Sequence, residues 1–252
     1  MRIAAVGDVH FAQDSAGRLR PLLERLPEEA EALLIAGDLT KTGEAAEAAV
    51  LGAELRQLPY PVVVVLGNHD WHRGQEKAIR TVLEQSDVIV LDGENVVLDL
   101  PSGRLGVAGC KGFGGGFAGA CATEFGEPEM KMFVGRTRRE AARLEAALAG
   151  LGSERKVALL HYSPVQETLM GERLEIHPFM GSYLLAEALD RIGCDLVIHG
   201  HAHNGSEYGQ TAGGIDVYNV AMPLIRRAFR VFDVEDAALT SASAPAGLTV
   251  PG

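Results

Sequence analysis

Apolar residues in this chain gather into short runs, and five of those runs end on aspartate, histidine or asparagine. The clearest is Val62-Val63-Val64-Val65, which passes through Leu66 and Gly67 into Asn68, His69 and Asp70. Consecutive β-branched residues suit a strand buried on both faces, and Gly67 permits a sharp turn at its end. The design recurs. Ile3 to Val6 leads to Asp8 and His10, Ala32 to Ala36 to Asp38, Val157 to Leu160 to His161, and Leu196 to Ile198 to His201 and His203. Polar groups therefore collect beyond the carboxyl ends of strands, where open α/β sheets place their ligands.

Between these runs the apolar period lengthens to that of a helix. Leu19, Leu22, Leu23 and Leu26 predict a helix over Ser15 to Leu26, ended by Pro27. Helices are also predicted over Gly43 to Leu58, Gln75 to Gln85, Glu129 to Leu151 and Tyr183 to Ile192. The first half reads βαβαβ, which predicts a mainly parallel sheet with helical covers. Short strands at Val88 to Leu91, Val96 to Leu100 and Leu105 to Ala108 then follow closely, with turn signals at Asp92-Gly93 and Ser102-Gly103, and predict an antiparallel meander. A second meander is predicted from Ser206 to Tyr208, Ile215 to Asn219 and Ala228 to Val234. Gly109 to Gly119 is too rich in glycine for a regular element and reads as a loop beside the strand ends.

Length and composition narrow the class. A chain of 252 residues with 47% hydrophobic and 23% charged residues can bury a sizeable core. The reading is one domain over residues 1–236, followed by a flexible Ala-, Ser-, Thr- and Pro-containing tail over 237–252. No apolar run approaches the roughly 20 residues of a membrane helix, and the amino terminus lacks the pattern of a signal peptide. Cys110, Cys121 and Cys194 have no paired metal-binding spacing and read as reduced thiols, which makes the cytoplasm the expected compartment. The net charge of -11 disfavours extended nucleic acid, whose binding is built on neutralising phosphates, but leaves small phosphoesters open.

The strand-end residues form a coherent donor set: carboxylates of Asp8 and Asp38, imidazoles of His10, His161, His201 and His203, and the amide oxygen of Asn68. Oxygen and imidazole donors suit manganese, iron or zinc, and the set suffices for two divalent ions if one carboxylate bridges. Two cations roughly 3.5 to 4 Å apart can activate a shared water and clamp both oxygens of an in-line phosphoryl displacement.

The ordered pattern Asp8-x-His10, Gly37-Asp38, Gly67-Asn68-His69-Asp70, His161 and Gly200-His201-x-His203 resembles the calcineurin-like metallophosphoesterases. That resemblance implies a four-layer αββα sandwich of two mixed β-sheets flanked by helices, with the metal site at strand C-terminal ends. It implies Asp8, His10 and His203 on a first metal, Asn68, His161 and His201 on a second, and Asp38 between them. His69 would face the leaving-group oxygen while a metal-bridging hydroxide attacks phosphorus in line. Two departures argue against a protein phosphatase: Lys41 stands where those enzymes carry an aspartate, and Asp70 where they carry glutamate. The carboxylate that usually partners the catalytic histidine is therefore missing.

A small phosphodiester, such as a cyclic nucleotide, is the expected substrate. A phosphomonoesterase or nuclease of the same family is the alternative, and a non-catalytic metal-binding scaffold the alternative from another class. His72 and Lys111 are candidate substrate contacts, as is Asn68. His177 is a weaker candidate, and Phe113 and Phe117 either stack on a base or pin the glycine loop. Trp71 reads as packing, Tyr162 as either lining the pocket or filling it, and Arg136, Arg138 and Arg139 as a solvated helix face. Oligomeric state leaves no mark in the sequence.

Overall fold

The computed structural model describes residues 1–234, so the expected tail over 237–252 lies outside the described residues. In chain order the elements are β1 (Arg2–Val6), α1 (Arg20–Leu23), β2 (Leu33–Ala36), α2 (Ala45–Leu55), β3 (Val62–Val65), α3 (Glu76–Glu84), β4 (Val88–Leu91), β5 (Glu94–Leu100) and β6 (Gly103–Cys110). A small ladder, β7 (Gly116–Phe117) with β8 (Ala120–Cys121), sits within and just beyond the glycine-rich segment. Then come α4 (Pro128–Ala149), β9 (Arg155–Leu160), α5 (His177–Met180), α6 (Tyr183–Ile192), β10 (Leu196–His199), β11 (Tyr208–Gln210), β12 (Asp216–Asn219), α7 (Met222–Ile225) and β13 (Arg230–Asp233).

Two sheets result, in the orders β13-β1-β2-β3-β4 and β11-β12-β10-β9-β6-β5. Side-chain alternation stacks them. From β1, Ala4 and Val6 face the helical side with Leu51, Leu55, Ile79 and Leu83, while Ile3 and Ala5 face the second sheet. In the middle layer Leu34, Val63 and Val65 meet Leu105, Val107, Leu159 and Ile198. The outer face of the second sheet, Ala108, Ala158, Leu160 and Val197, is covered by Leu144 and Leu148 of α4 and by Leu185 and Leu189 of α6. Helix, sheet, sheet and helix form the expected four-layer sandwich. The central strands of both sheets are buried on both faces, which is why they read as unbroken apolar runs.

Three local expectations change. The helix expected over Ser15 to Leu26 contracts to α1 and a following 3₁₀ turn. Gly17 is left-handed at φ +82, and the buried Glu54 carboxylate accepts the backbone N–H groups of Gly17, Leu19 and Arg20 at 2.6, 2.9 and 2.7 Å. A distant side chain therefore caps the helix late. Second, β4 is not part of a meander: it pairs parallel to β3, and only β5 and β6 pair antiparallel there. Third, the last strands are split: β11 and β12 pair antiparallel, β12 runs parallel to β10, and β13 returns antiparallel to β1 in the first sheet. No helix among the described residues is long and apolar enough to cross a membrane.

Candidate metal centre

The carboxyl ends of β1, β2, β3, β9 and β10 meet at one rim, and their following residues turn inward. The turns are tight enough to force unusual backbone: Asp8, His10, Asp38 and His201 all adopt positive φ, at 57, 42, 50 and 72°. Each such residue costs on the order of 1–3 kcal/mol, strain that the surrounding structure must hold. Glycines make room beside them. A Cβ at Gly37 would lie 2.6 Å from the His161 ring, and one at Gly67 or Gly200 would overlap the Asp38 or Asp8 carboxylate.

Donor atoms converge in two groups, Asp8 with His10 and His203, and Asp38 with His161 and His201, the atoms of each lying within 4.8 Å of one another. A third such group joins His10, Asp38 and His69. Asp38 reaches both sides: Oδ1 is 3.3 Å from His161 Nε2, while Oδ2 is 3.8 Å from His10 Nε2 and 3.9 Å from His69 Nε2. On the first side, Asp8 Oδ1 is 2.9 Å from His203 Nε2. That contact pulls the His203 pKa up, whereas burial pulls those of His10 and His201 down.

Backbone acceptors set the ring orientations. His161 Nδ1 donates to the Ala36 carbonyl at 2.8 Å, which aims Nε2 at Asp38 and at Asn68 Oδ1, 2.9 Å away. His69 Nδ1 donates to the Lys41 carbonyl at 2.7 Å. The missing carboxylate is thereby replaced by the main chain of the very residue that took its place in the sequence. Asp70 is wholly buried and takes hydrogen bonds from Leu39 N, Thr40 N, Thr40 Oγ1 and Gly67 N at 3.1, 2.8, 2.6 and 2.7 Å. It ties the Asp38 turn to the Asn68 turn. Burial, with the Asp38 charge beside it, pushes its pKa up to about 6.

The remaining sequence candidates separate. His72 is exposed and belongs to none of the donor groups. Lys111 is only 5% exposed, its ammonium enclosed 4.9 to 5.6 Å from the ring centres of Tyr162, Phe113 and Trp71. Burial lowers its pKa to about 8. Phe117 packs with Leu169 and Met180, and Phe113 against the outer core of the second sheet, so both pin the glycine-rich segment. His177 is buried with neither ring nitrogen hydrogen-bonded. Arg136 departs from the solvated reading: it pairs with the buried Glu140 at 2.7 Å and lies 5.3 Å over the Trp71 ring.

One site-supporting residue had no distinguishing mark in the sequence. His199, the last residue of β10, is fully buried; its Nδ1 donates to the Gly200 carbonyl at 2.7 Å and its Nε2 accepts from Thr168 Oγ1 at 2.9 Å. Ser163 Oγ extends the chain, 2.8 Å from Thr168 Oγ1. Burial lowers the His199 pKa to about 4, below the 6.5 of an unfolded histidine. Below pH 6.5 the unfolded chain takes a proton that the folded chain refuses, so this stability is complete above pH 6.5 and falls as pH drops towards 4. The full loss is about 3 kcal/mol. Urea unfolding of metal-free protein at pH 7 and pH 5 should show about 2 kcal/mol of it, and His199→Gln should remove that portion of the pH dependence.

Does this donor set fit two divalent cations? Its donors are imidazole nitrogens and carboxylate oxygens in two groups, one aspartate reaches both, and glycines make room behind the two carboxylates. The residues fit. A four-layer αββα sandwich with such a rim defines a metal-dependent hydrolase. The chain belongs to the calcineurin-like phosphoesterases, whose family profile matches residues 1–205. The chemistry of that family is two-metal phosphoester hydrolysis.

Solved structures share the fold at low identity. Phosphopantetheinyl hydrolase PptH from Mycobacterium tuberculosis is 16% identical with a TM-score of 0.65, over 91% of this chain and 95% of that one. TT1561 of Thermus thermophilus is 17% identical with a TM-score of 0.58, over 92% and 98%. GAP50, described as the anchor in the inner membrane complex of Plasmodium, is 13% identical with a TM-score of 0.53, over 88% and 72%. No curated protein sequence matches the chain significantly.

Proposed function

We propose that the protein is a phosphodiesterase acting on small substrates, with Asp8, His10 and His203 holding one divalent cation, Asn68, His161 and His201 a second, and Asp38 shared between them. What supports this most is the position of Asp38, with one carboxylate oxygen towards His161 and the other towards His10. Manganese, iron and zinc all suit these donors. When bound, two such ions supply Lewis acidity and positive charge against the phosphoryl oxygens.

The side chains do the rest. The Lys41 carbonyl fixes the His69 ring with Nε2 towards Asp38 and the donor rim. As an imidazolium, His69 can pass its Nε2 proton to the departing alkoxide and remain held through Nδ1. Asp38 also accepts the His69 backbone N–H at 2.9 Å, which ties the proton donor to the shared ligand. Asn68 would touch a phosphoryl oxygen as well as a cation, its Oδ1 lying 2.9 Å from His161 Nε2. Three free thiols, Cys110, Cys121 and Cys194, agree with a cytoplasmic setting.

The test is hydrolysis of bis(p-nitrophenyl) phosphate beside p-nitrophenyl phosphate. Chelated protein is reconstituted separately with manganese, zinc and iron(II). The diester should be cleaved at least about tenfold faster in kcat/KM, a difference of about 1.4 kcal/mol in barrier. Monoester preference would reassign the substrate class, and silence with every metal would favour a scaffold.

A further inference from the structure

A groove leaves the donor rim on the His69 side. Its first part, about 370 Å³, is lined by His10, His69 and His203 together with Asp14, Arg18 and Lys41. Arg18 also lines a second hollow of about 280 Å³, floored by Val9, Phe11, Leu19 and Met222 and edged by Arg226 and Arg227. Arg18 thus lines both hollows.

Charge is distributed unexpectedly along this path. The chain carries -11 overall, and some arginines pair with carboxylates, as Arg73 does with Glu44 and Arg230 with Glu207, while others such as Arg25 and Arg139 have no such partner among the described residues and line neither hollow. Arg226, Arg227 and Lys41 have no carboxylate partner among the described residues. Among the described residues the Arg18 guanidinium bonds the Ser15 hydroxyl at 3.3 Å and lies 5.6 Å from the Phe11 ring centre. Asp14 is the single carboxylate lining either hollow among the described residues. Arg18, Arg226 and Arg227, with no carboxylate among the described residues lining the second hollow, make the local potential there positive. Arg226 is moreover held at φ +51 where α7 ends, a left-handed conformation that favours glycine or asparagine. An arginine kept in strained backbone, next to another, beside an apolar floor and an adjoining site, suits an organic group that ends in negative charge.

We propose that this groove receives the leaving alcohol of the substrate, and that the alcohol carries a terminal anionic group held by Arg18, Arg226 and Arg227. The inference rests on the phosphodiesterase reading, with His69 on the leaving-group side. It narrows the substrate class to diesters whose released alcohol is itself an anion, with a short apolar segment between its oxygen and its charge.

The experiment compares methyl phosphodiesters of 4-methylumbelliferone and of 7-hydroxycoumarin-4-acetate, whose leaving groups differ chiefly by one carboxylate. The metal-loaded protein should favour the acetate by about tenfold in kcat/KM. Arg18→Gln with Arg227→Gln should bring the ratio close to one, and Arg226→Asn, compatible with left-handed backbone, should lower it alone. No preference in the wild type, or a preference kept by the double variant, overturns the proposal. If neither diester is cleaved, the phosphodiesterase reading fails separately, and fluorescence titration with the two free coumarins still decides the groove. Tighter, salt-sensitive binding of the acetate, lost in the double variant, supports it. Equal binding overturns it.

Discussion

Asp38→Asn is expected to lower kcat/KM for bis(p-nitrophenyl) phosphate by roughly a thousandfold or more and to reduce metal content, because metal-ion catalysis is worth several kcal/mol. The substitution is a stringent one. Asparagine is among the residues most tolerant of left-handed backbone, so φ 50 at this position is retained with little added strain. Its amide oxygen can still accept the His69 backbone N–H that Asp38 Oδ1 accepts at 2.9 Å. What disappears is the negative charge shared by the two donor groups. A further consequence follows at Asp70, whose pKa is raised first by burial and then by the Asp38 charge. Removing that charge relieves part of the repulsion, so the folded chain should melt no lower than the wild type when both are metal-free. Activity assay, elemental analysis and thermal unfolding together separate a lost cation from a lost fold. Wild-type activity with two bound ions would refute the assignment of Asp38 as the shared ligand.

The site was more legible than the connections around it, for a physical reason. Strands buried on both faces produce apolar runs with no alternation, and whatever stops such a run sits at a sheet end; Asp8, Asp38, Asn68, His161 and His201 were marked in that way. Strand direction carries no comparable mark. Val88–Leu91 has the composition of any buried strand, and its parallel pairing with β3 is decided by the crossover of α3 and not by its own residues. The shortened α1 depended on Glu54, more than thirty residues away, whose carboxylate captures the N–H groups of Gly17, Leu19 and Arg20. His199 ends a strand as the candidate ligands' strands do, yet its ring turns into the protein towards Thr168 and the Gly200 carbonyl. The partner of His69 was hidden for a different reason: it is a backbone carbonyl, which any residue at position 41 would offer. Side-chain motifs report side-chain chemistry, and a site completed by main chain escapes them.

His69→Ala is expected to cut turnover of diesters with poor leaving groups by about 10²- to 10⁴-fold, the usual range for a positioned general acid, while changing p-nitrophenolate release far less. The contrast follows from where the charge develops. A nitrophenolate carries its own negative charge well, whereas an aliphatic alkoxide needs a proton or a strong hydrogen bond as it departs. The His69 ring is held for that task by the Lys41 carbonyl, and its Nε2 stands 3.9 Å from Asp38 Oδ2, the only carboxylate within 4 Å of that atom among the described residues. A carbonyl orients the ring without adding a second negative charge beside it. Replacing Lys41 should therefore matter little to this step, since the acceptor belongs to the main chain, whereas removing the His69 ring removes the donor itself. Metal content should stay at the wild-type level in His69→Ala, because the proposed ligands are all intact. Equal losses for both leaving groups would instead mean that His69 supports binding or metal retention, and an unchanged rate with an alkyl leaving group would remove it from the mechanism.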